Sequence, residues 1–415
     1  MTHAPDSAVD TVRAFAERIA GLSPEEHGFT HLALDQAMAR AEQLDTVPVE
    51  RRGRLHGLLL PIKDLTEVAG MPTSYGSAHR VTMSTESAPV VTKLLAQGVI
   101  IPGKTAAPEL GMTGYTEPVG LPAPENPRYP GQRRTPGGSS GGAAVAVGRG
   151  LVDVAHASDG GGSIRIPAAA CGLVGFKQSH AAVGGALSVQ GVLTRSVATT
   201  AALHQIDPAA PAALADLRIG VLREPLLADT TVAPERRAVL DRAADLLSDA
   251  GYRLSTLSAA DLDAAGLFHC FRKVFSAKVA NVADPVSPIV GWCREFGRGE
   301  PPYAEIARLE GSAREVARAF DVDVLLSPYL AWDPPRVGFF SGHPPAEDFE
   351  WQTKWSPWGS LCNMTGAPAI SLPATSAGGN TVDLQLAGVQ VGNSRILGLA
   401  TQLEQLLTPA RADAR

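Results

Sequence analysis

The sequence predicts an α/β protein in which a central mixed β-sheet is covered by helices on both faces. Short apolar runs of strand length recur along the chain, and amphipathic or small-residue helical segments separate them. Glycine clusters fall where a strand gives way to a helix, and no internal repeat breaks the alternation.

The elements follow in chain order. Val9, Val12, Phe15, Ala16 and Ile19 lie at helical spacing, and Leu34, Ala37, Met38, Ala41 and Leu44 repeat it, so amphipathic helices are expected over 8–20 and 32–44. "LHGLLLPIKDL" at 55–65 reads as a buried strand, because Gly57 and Pro61 would interrupt a helix. Residues 88–105 read as a helix stopped at Gly98 and then a strand, and 112–136, rich in Pro, Gly and Tyr, as a long loop. "GGAAVAVGRG" is a helix of small residues that can pack backbone close to its neighbours, and 152–159 is a strand running into three glycines. Further on, 198–216 reads as an Ala/Pro-rich surface connection, 217–224 as a strand, 234–254 as a helix and 322–330 as a buried strand.

With 415 residues, 45% of them hydrophobic, the chain can bury a large core. A net charge of −6 without a block of Lys and Arg argues against nucleic acid or an anionic membrane surface as partner. Cys171, Cys270, Cys293 and Cys362 form no CxxC pair and are expected as reduced thiols of a cytoplasmic protein. The opening segment carries acidic residues and no long apolar core, so no secretory leader is expected. No apolar run reaches the roughly 18 residues of a membrane span.

The stretch "TPGGSSGGAAVAVGRGLVDVAHASDGGGSIRIP" (135–167) concentrates glycine around serines. A phosphate-binding P-loop would need a Lys-Ser/Thr pair that neither cluster has, and a dinucleotide fingerprint counted from Gly160 fails at Arg165. A flexible Gly-Ser linker is at odds with the flanking apolar strand and helix. Acyl-transfer chemistry fits better. Gly160, Gly161, Gly162 and Ser163 bring backbone N–H donors for an oxyanion and a hydroxyl nucleophile to one place. His27 and His31, spaced i,i+4, read as loop residues without a matching carboxylate, so no metal is expected. Trp351, Trp355 and Trp358, with Phe349 nearby, read first as core packing and second as an aromatic wall for an acyl pocket.

"GGSSGG" (137–142), "DGGGSIRIP" (159–167) and "CGLVGFK" (171–177) together resemble the amidase signature family. "LHGLLLPIKDLTEVAGMPTSYGS" (55–77) and "SPWGSLCNMTGAPAISLP" (356–373) extend the likeness over most of the chain. The resemblance implies one domain over 1–415, its signature core at 55–200 and its C-terminal part at 217–407 completing the sheet and the substrate pocket. It implies a Ser-Ser-Lys triad of Lys63, Ser139 and Ser163. Ser163 is the nucleophile, and Ser139 bridges to the base through a Gly138–Ser139 peptide in the cis form. Oxyanion donors are expected at Gly160, Gly161, Gly162 and Ser163, with Asp159, Arg165 and Ser140 as support. For Lys63 the plainer alternative is a buried salt bridge with Asp64 or Glu67. Burial among apolar neighbours instead favours the neutral amine that a base needs.

The implied activity is hydrolysis of a small-molecule carboxylic amide through an acyl-enzyme, without cofactor or metal. Two alternatives share the triad: acyl transfer to an amine, and a glutaminase-type subunit of an amidotransferase. A homodimer is left open. The chain departs from the family's pattern at Gly160, where members commonly carry a larger residue, and at Ala106, Gln178 and the short segment near 197–216. These departures leave the triad alone and bear on substrate choice.

Overall fold

In a computed structural model the alternating elements close into a mixed eight-stranded sheet. The structure describes residues 7–183 and 187–408; residues 1–6, part of the segment read for a leader, lie outside them. Helices α1 (Ala8–Ile19) and α2 (Leu34–Asp45) flank strand β1 (Phe29–Leu32). Ser7 caps α1 by accepting the Asp10 N–H at 3.2 Å, and Val12, Phe15 and Ile19 form its buried stripe. Strands β2 (Ile62–Lys63) and β3 (Gly103–Thr105) join β1 in a small sheet of order β1-β3-β2, which carries Lys63. Of the run 55–65, Ile62 and Lys63 are strand and Leu59 adds a single bridge to Ile100.

The signature region follows as helix α3 (Gly141–Gly148), strand β4 (Ala155–Asp159), helix α4 (Arg165–Cys171), and strands β5 (Val174–Lys177) and β6 (Val189–Thr194). Then come helix α5 (Val197–His204), strand β7 (Arg218–Val221), helix α6 (Pro234–Asp249), strand β8 (Arg253–Thr256) and helix α7 (Ala264–Ala277). Strand β9 (Val324–Ser327), helix α8 (Pro345–Trp355), the hairpin strands β10 (Ala369–Thr375) and β11 (Thr381–Gly388), and helix α9 (Asn393–Leu407) follow later in the chain. The sheet order is β8-β7-β9-β11-β10-β5-β6-β4. Strands β8, β7 and β9 run parallel to one another, and every later pairing in the order is antiparallel.

The two-residue period of the strands sorts the core onto two faces. Leu326, Ile370, Leu372, Leu384 and Leu386 pack under α5, α6 and α9 on one face. Leu325, Ala369 and Ala387 face α7 on the other. On β11 the alternate positions, Asp383 and Gln385, are polar yet buried, and Gln385 reaches the signature helix α4.

Three sequence expectations need correction. The surface connection at 198–216 is in part a helix: Ser196 caps α5 through the Thr199 N–H, and the small residues Val197 and Ala201 bury one face. The helix expected to 254 ends at Asp249, because Gly251 takes φ +92° and the chain turns into β8. His27 closes a short helical turn and accepts the Phe29 N–H, and His31 lies in β1, so neither is a loop residue. Among the described residues no helix is long and apolar enough to cross a membrane.

Burial predicts unequal costs across the sheet. Leu384→Ala, in the fully buried centre, should lower the unfolding free energy by about 2–5 kcal/mol. Leu254→Ala, on edge strand β8 and half-buried, should cost clearly less. Urea unfolding of both variants checks the ordering.

Candidate active site

Lys63 is fully buried at the end of β2. Its Nζ donates to Ser139 Oγ at 2.7 Å and to Ser158 Oγ at 3.1 Å. Its backbone N–H donates to His156 Nδ1 at 3.3 Å, and the opposite ring nitrogen of His156 meets Gln190 Oε1 at 2.9 Å. Burial, reinforced by the nearby Lys63, pushes His156 down to about 4, so the ring is neutral and fits this acceptor–donor pattern.

The salt-bridge alternative for Lys63 fails on partners. Asp64 is taken by Lys104 Nζ at 3.1 Å, by Thr30 Oγ1 at 3.0 Å and by Ser74. Glu67 accepts the Tyr75 hydroxyl at 2.5 Å. Burial therefore holds the Lys63 ammonium down to about 7, against a smaller upward pull from Asp159. The lowered value brings the neutral amine, which can accept from a serine hydroxyl, within reach of neutral pH.

Ser139 is buried and follows a cis peptide from Gly138. It lies just behind the wall of a cavity at Gly111, where an added Cβ would come within 3.4 Å of Ser139 Oγ. The Ser140 hydroxyl donates to the Ser158 carbonyl at 3.4 Å and accepts the Ser158 N–H at 3.5 Å. Ser163 opens onto the same cavity as Gly111. Its Oγ has no hydrogen-bond partner among the described residues, so the structure brings Lys63, Ser139 and Ser158 into contact and leaves Ser163 facing the cavity. Such bonds often tighten only when substrate is bound.

The glycine loop is fixed from beneath by Asp159 and Arg165, both fully buried. Arg165 Nε and Nη2 meet the carboxylate at 2.9 and 3.1 Å, while Nη1 donates to Gln385 Oε1 at 2.9 Å and Nη2 to Asn363 Oδ1 at 2.7 Å. Asp159 accepts the N–H groups of Gly162 at 2.7 Å and Ile164 at 3.2 Å, and the Asn363 amide at 2.9 Å. Burial alone would raise this carboxyl, but the Arg165 guanidinium and the Asn363 amide hold it well below the usual range. Gly162 is required here, since φ is +120° and a Cβ would fall 2.4 Å from Tyr329 Oη. Its N–H is spent on Asp159. Those of Gly160, Gly161 and Ser163 have no acceptor among the described residues, which removes Gly162 from the amides free to meet a ligand.

The amidase family model matches residues 10–287. The chain belongs to the amidase signature family. Putative amidase AmiB2 of Mycobacterium tuberculosis (strain ATCC 25618 / H37Rv) is 30% identical, over 95% of this chain and 91% of that protein. A crystal structure of an amidase matches with a TM-score of 0.80 at 27% identity, covering 97% of this chain and 96% of that one. The structure of 6-aminohexanoate cyclic dimer hydrolase complexed with substrate matches with a TM-score of 0.82 at 24% identity, over 97% and 94%, a likeness of fold. The chain is thus an amide-hydrolysing enzyme.

Sequence reasoning missed several residues of this amidase's site. Ser158 and His156 alternate on β4, so the period-two pattern in "HASD" already placed both on the face that meets Lys63. Asn363 stood in a quoted motif without a role. Phe268, Phe271 and Phe275 of α7 wall the cavity together with Phe349. The tryptophans do not line it: Trp355 and Trp358 are core residues whose indole N–H groups donate to the carbonyls of Trp332 and Glu224. All four cysteines are free and buried, and burial pushes the Cys171 thiol up to about 12.

Asp159→Asn would leave Arg165 buried beside a neutral amide. A loss of about 3–5 kcal/mol of unfolding free energy is expected, as for a buried pair deprived of one partner. Chemical denaturation compared with wild type measures it.

Proposed function

We propose that this amidase cleaves a carboxylic amide through a serine acyl-enzyme, with Ser163 as nucleophile, Ser139 as proton relay and Lys63 as base. The observation that carries this reading is the fully buried Lys63, which hydrogen-bonds Ser139 at 2.7 Å and has no carboxylate in contact among the described residues. Ser163 Oγ attacks the carbonyl carbon and forms a C–O bond. Its proton passes through Ser139 to Lys63, and the oxyanion is met by the N–H groups of Gly160, Gly161 and Ser163. Lys63 returns the proton through Ser139 to the departing nitrogen as the C–N bond breaks. Water, deprotonated by the same route, releases the acid and restores Ser163. Asp159, Arg165 and Ser140 are positioning residues for the loop and for β4.

Treatment with a fluorophosphonate probe should add one label to the wild type by intact mass. The label should be absent from Ser163→Ala, which should also lose at least about 10³-fold in kcat. A folded wild type that takes no label, or a Ser163→Ala variant that still takes one, overturns the assignment.

The base must be neutral to act, so protonation of Lys63 below its pKa removes activity. The expected kcat/KM rises with pH through about 7 and then levels. A profile that stays flat from about pH 5 to about pH 9 would exclude Lys63 as the base.

A further inference from the structure

Lys278 follows the last residue of α7, and its ammonium stands against the glycine loop. A Cβ on Gly160 would lie 3.8 Å from its Nζ and 2.6 Å from Ser188 Oγ, so the bare glycine makes the room in which the two meet. Nζ donates to Ser188 Oγ at 2.9 Å and sits 5.5 Å from the ring centroid of Phe275, which walls the cavity. A lysine at a helix end commonly turns back to the last carbonyls. Among the described residues this one donates to none of them and has no carboxylate within ion-pair distance. Two of its three N–H donors are unspent there. The side chain is exposed, so a ligand can reach it. Yet enough protein surrounds its head that burial lowers its pKa, with no carboxylate to offset the loss.

The cavity beside this ammonium has the same electrostatic sense. Among the described residues no carboxylate lines it. Asp348, which Gln352 contacts, is buried and takes the Tyr115 hydroxyl at 2.8 Å and the Gln352 amide at 2.6 Å. The lining holds donors without a partner among the described residues: the N–H groups of Gly161 and Ser163 and the second N–H of the Gln352 amide. Unspent donors and a cation, with no acid among them, favour a ligand that brings negative charge. Bond lengths place Nζ within about 9 Å of the Gly161 Cα.

Resting on the proposed acyl-enzyme mechanism, in which N–H groups of this loop hold the carbonyl oxygen, we infer that the enzyme selects amides carrying a carboxylate a short way from the scissile bond and that Lys278 binds that carboxylate. A linker of about two to four carbons spans the distance. The carboxylate forms a charge-assisted hydrogen bond to Nζ beside the one from Ser188, and its charge restores to the ammonium what burial takes away. Both the acyl part and the leaving amine of an amide can carry such a group, and the test separates them.

The test compares substrates that differ only in charge. Succinamate and glutaramate place the carboxylate in the acyl part, and N-acetyl-β-alanine places it in the leaving amine. Each is paired with the neutral compound in which a methyl ketone replaces the carboxylate. In the wild type, kcat/KM should favour the charged member about tenfold or more in the acyl pairs or in the amine pair, and which one responds tells where the charge sits. Lys278→Met should bring that ratio down about tenfold, Lys278→Glu should reverse it, and Lys278→Arg should keep most of it. Fluorophosphonate labelling of Ser163, run alongside, shows that each variant is folded. It also reads the same comparison where turnover is too slow to follow, as stronger protection of Ser163 by the charged member. A wild type that favours no charged member overturns the inference, as does a labelled Lys278→Met variant that keeps the wild-type ratio. A wild type that takes no label overturns the acyl-enzyme reading, while the charge preference is still read from turnover, so the two fail separately.

Discussion

The buried ion pair between Asp159 and Arg165 ties the site to the sheet beneath it. Taking two charges out of water costs several kcal/mol each unless their remaining valences are met. Here they are met. The guanidinium spends its donors on Asp159, Gln385 and Asn363, and the carboxylate collects Gly162, Ile164 and Asn363 besides. The pair therefore cannot form without strand β11 and the turn at Asn363, and the glycine loop cannot hold its shape without the pair. Asp159 imposes order on three consecutive glycines, which would otherwise lose the most entropy on folding.

Three buried lysines show how partner chemistry decides what burial does. Lys104 contacts the Asp64 carboxylate at 3.1 Å and forms an ion pair. Lys177 is given two backbone carbonyls, of Gln178 and Ala367, and burial brings it down to about 8. Lys63 is given hydroxyls, which can accept from the ammonium and equally donate to the amine, and burial brings it down to about 7. Among these, only the hydroxyl environment serves both protonation states, and reversible proton transfer requires that. The crowding of polar groups around Asp64 acts at the same time as insulation, keeping that carboxylate occupied one residue away from Lys63.

Much of this was legible from residue order. The two opening helices announce themselves by apolar spacing, and the role of Arg165 as partner to Asp159 follows from a buried loop that needs an anchored carboxylate. The contact of Lys63 with Ser139 was readable only through the family likeness, because 75 intervening residues separate the two and no local pattern measures that distance. Helix α5 was hidden by its alanines, which fit a solvated connection as well as a tightly packed helix until Val197 and Ala201 are seen against the sheet. Phe271 was passed over for a related reason. Its spacing marks an apolar face, but nothing in the spacing tells a face that meets a core from one that lines a cavity.

The order of the sheet has a consequence for how the molecule is made. Strands β4 to β6 and strands β7 to β9 lie in separate blocks, bridged only by the hairpin β10–β11 at their centre, within residues 369–388. The two blocks thus wait for a hairpin made after every strand of both, and Arg165 waits with them for Asn363 and Gln385. Contacts spanning some 200 residues slow folding, because chain closure is entropically uphill until they form. A nascent chain with its signature motif fully translated still holds an unanchored glycine loop and an incompletely satisfied guanidinium. The loop beneath Ser163 therefore takes its final shape only when β10 and β11 are in place.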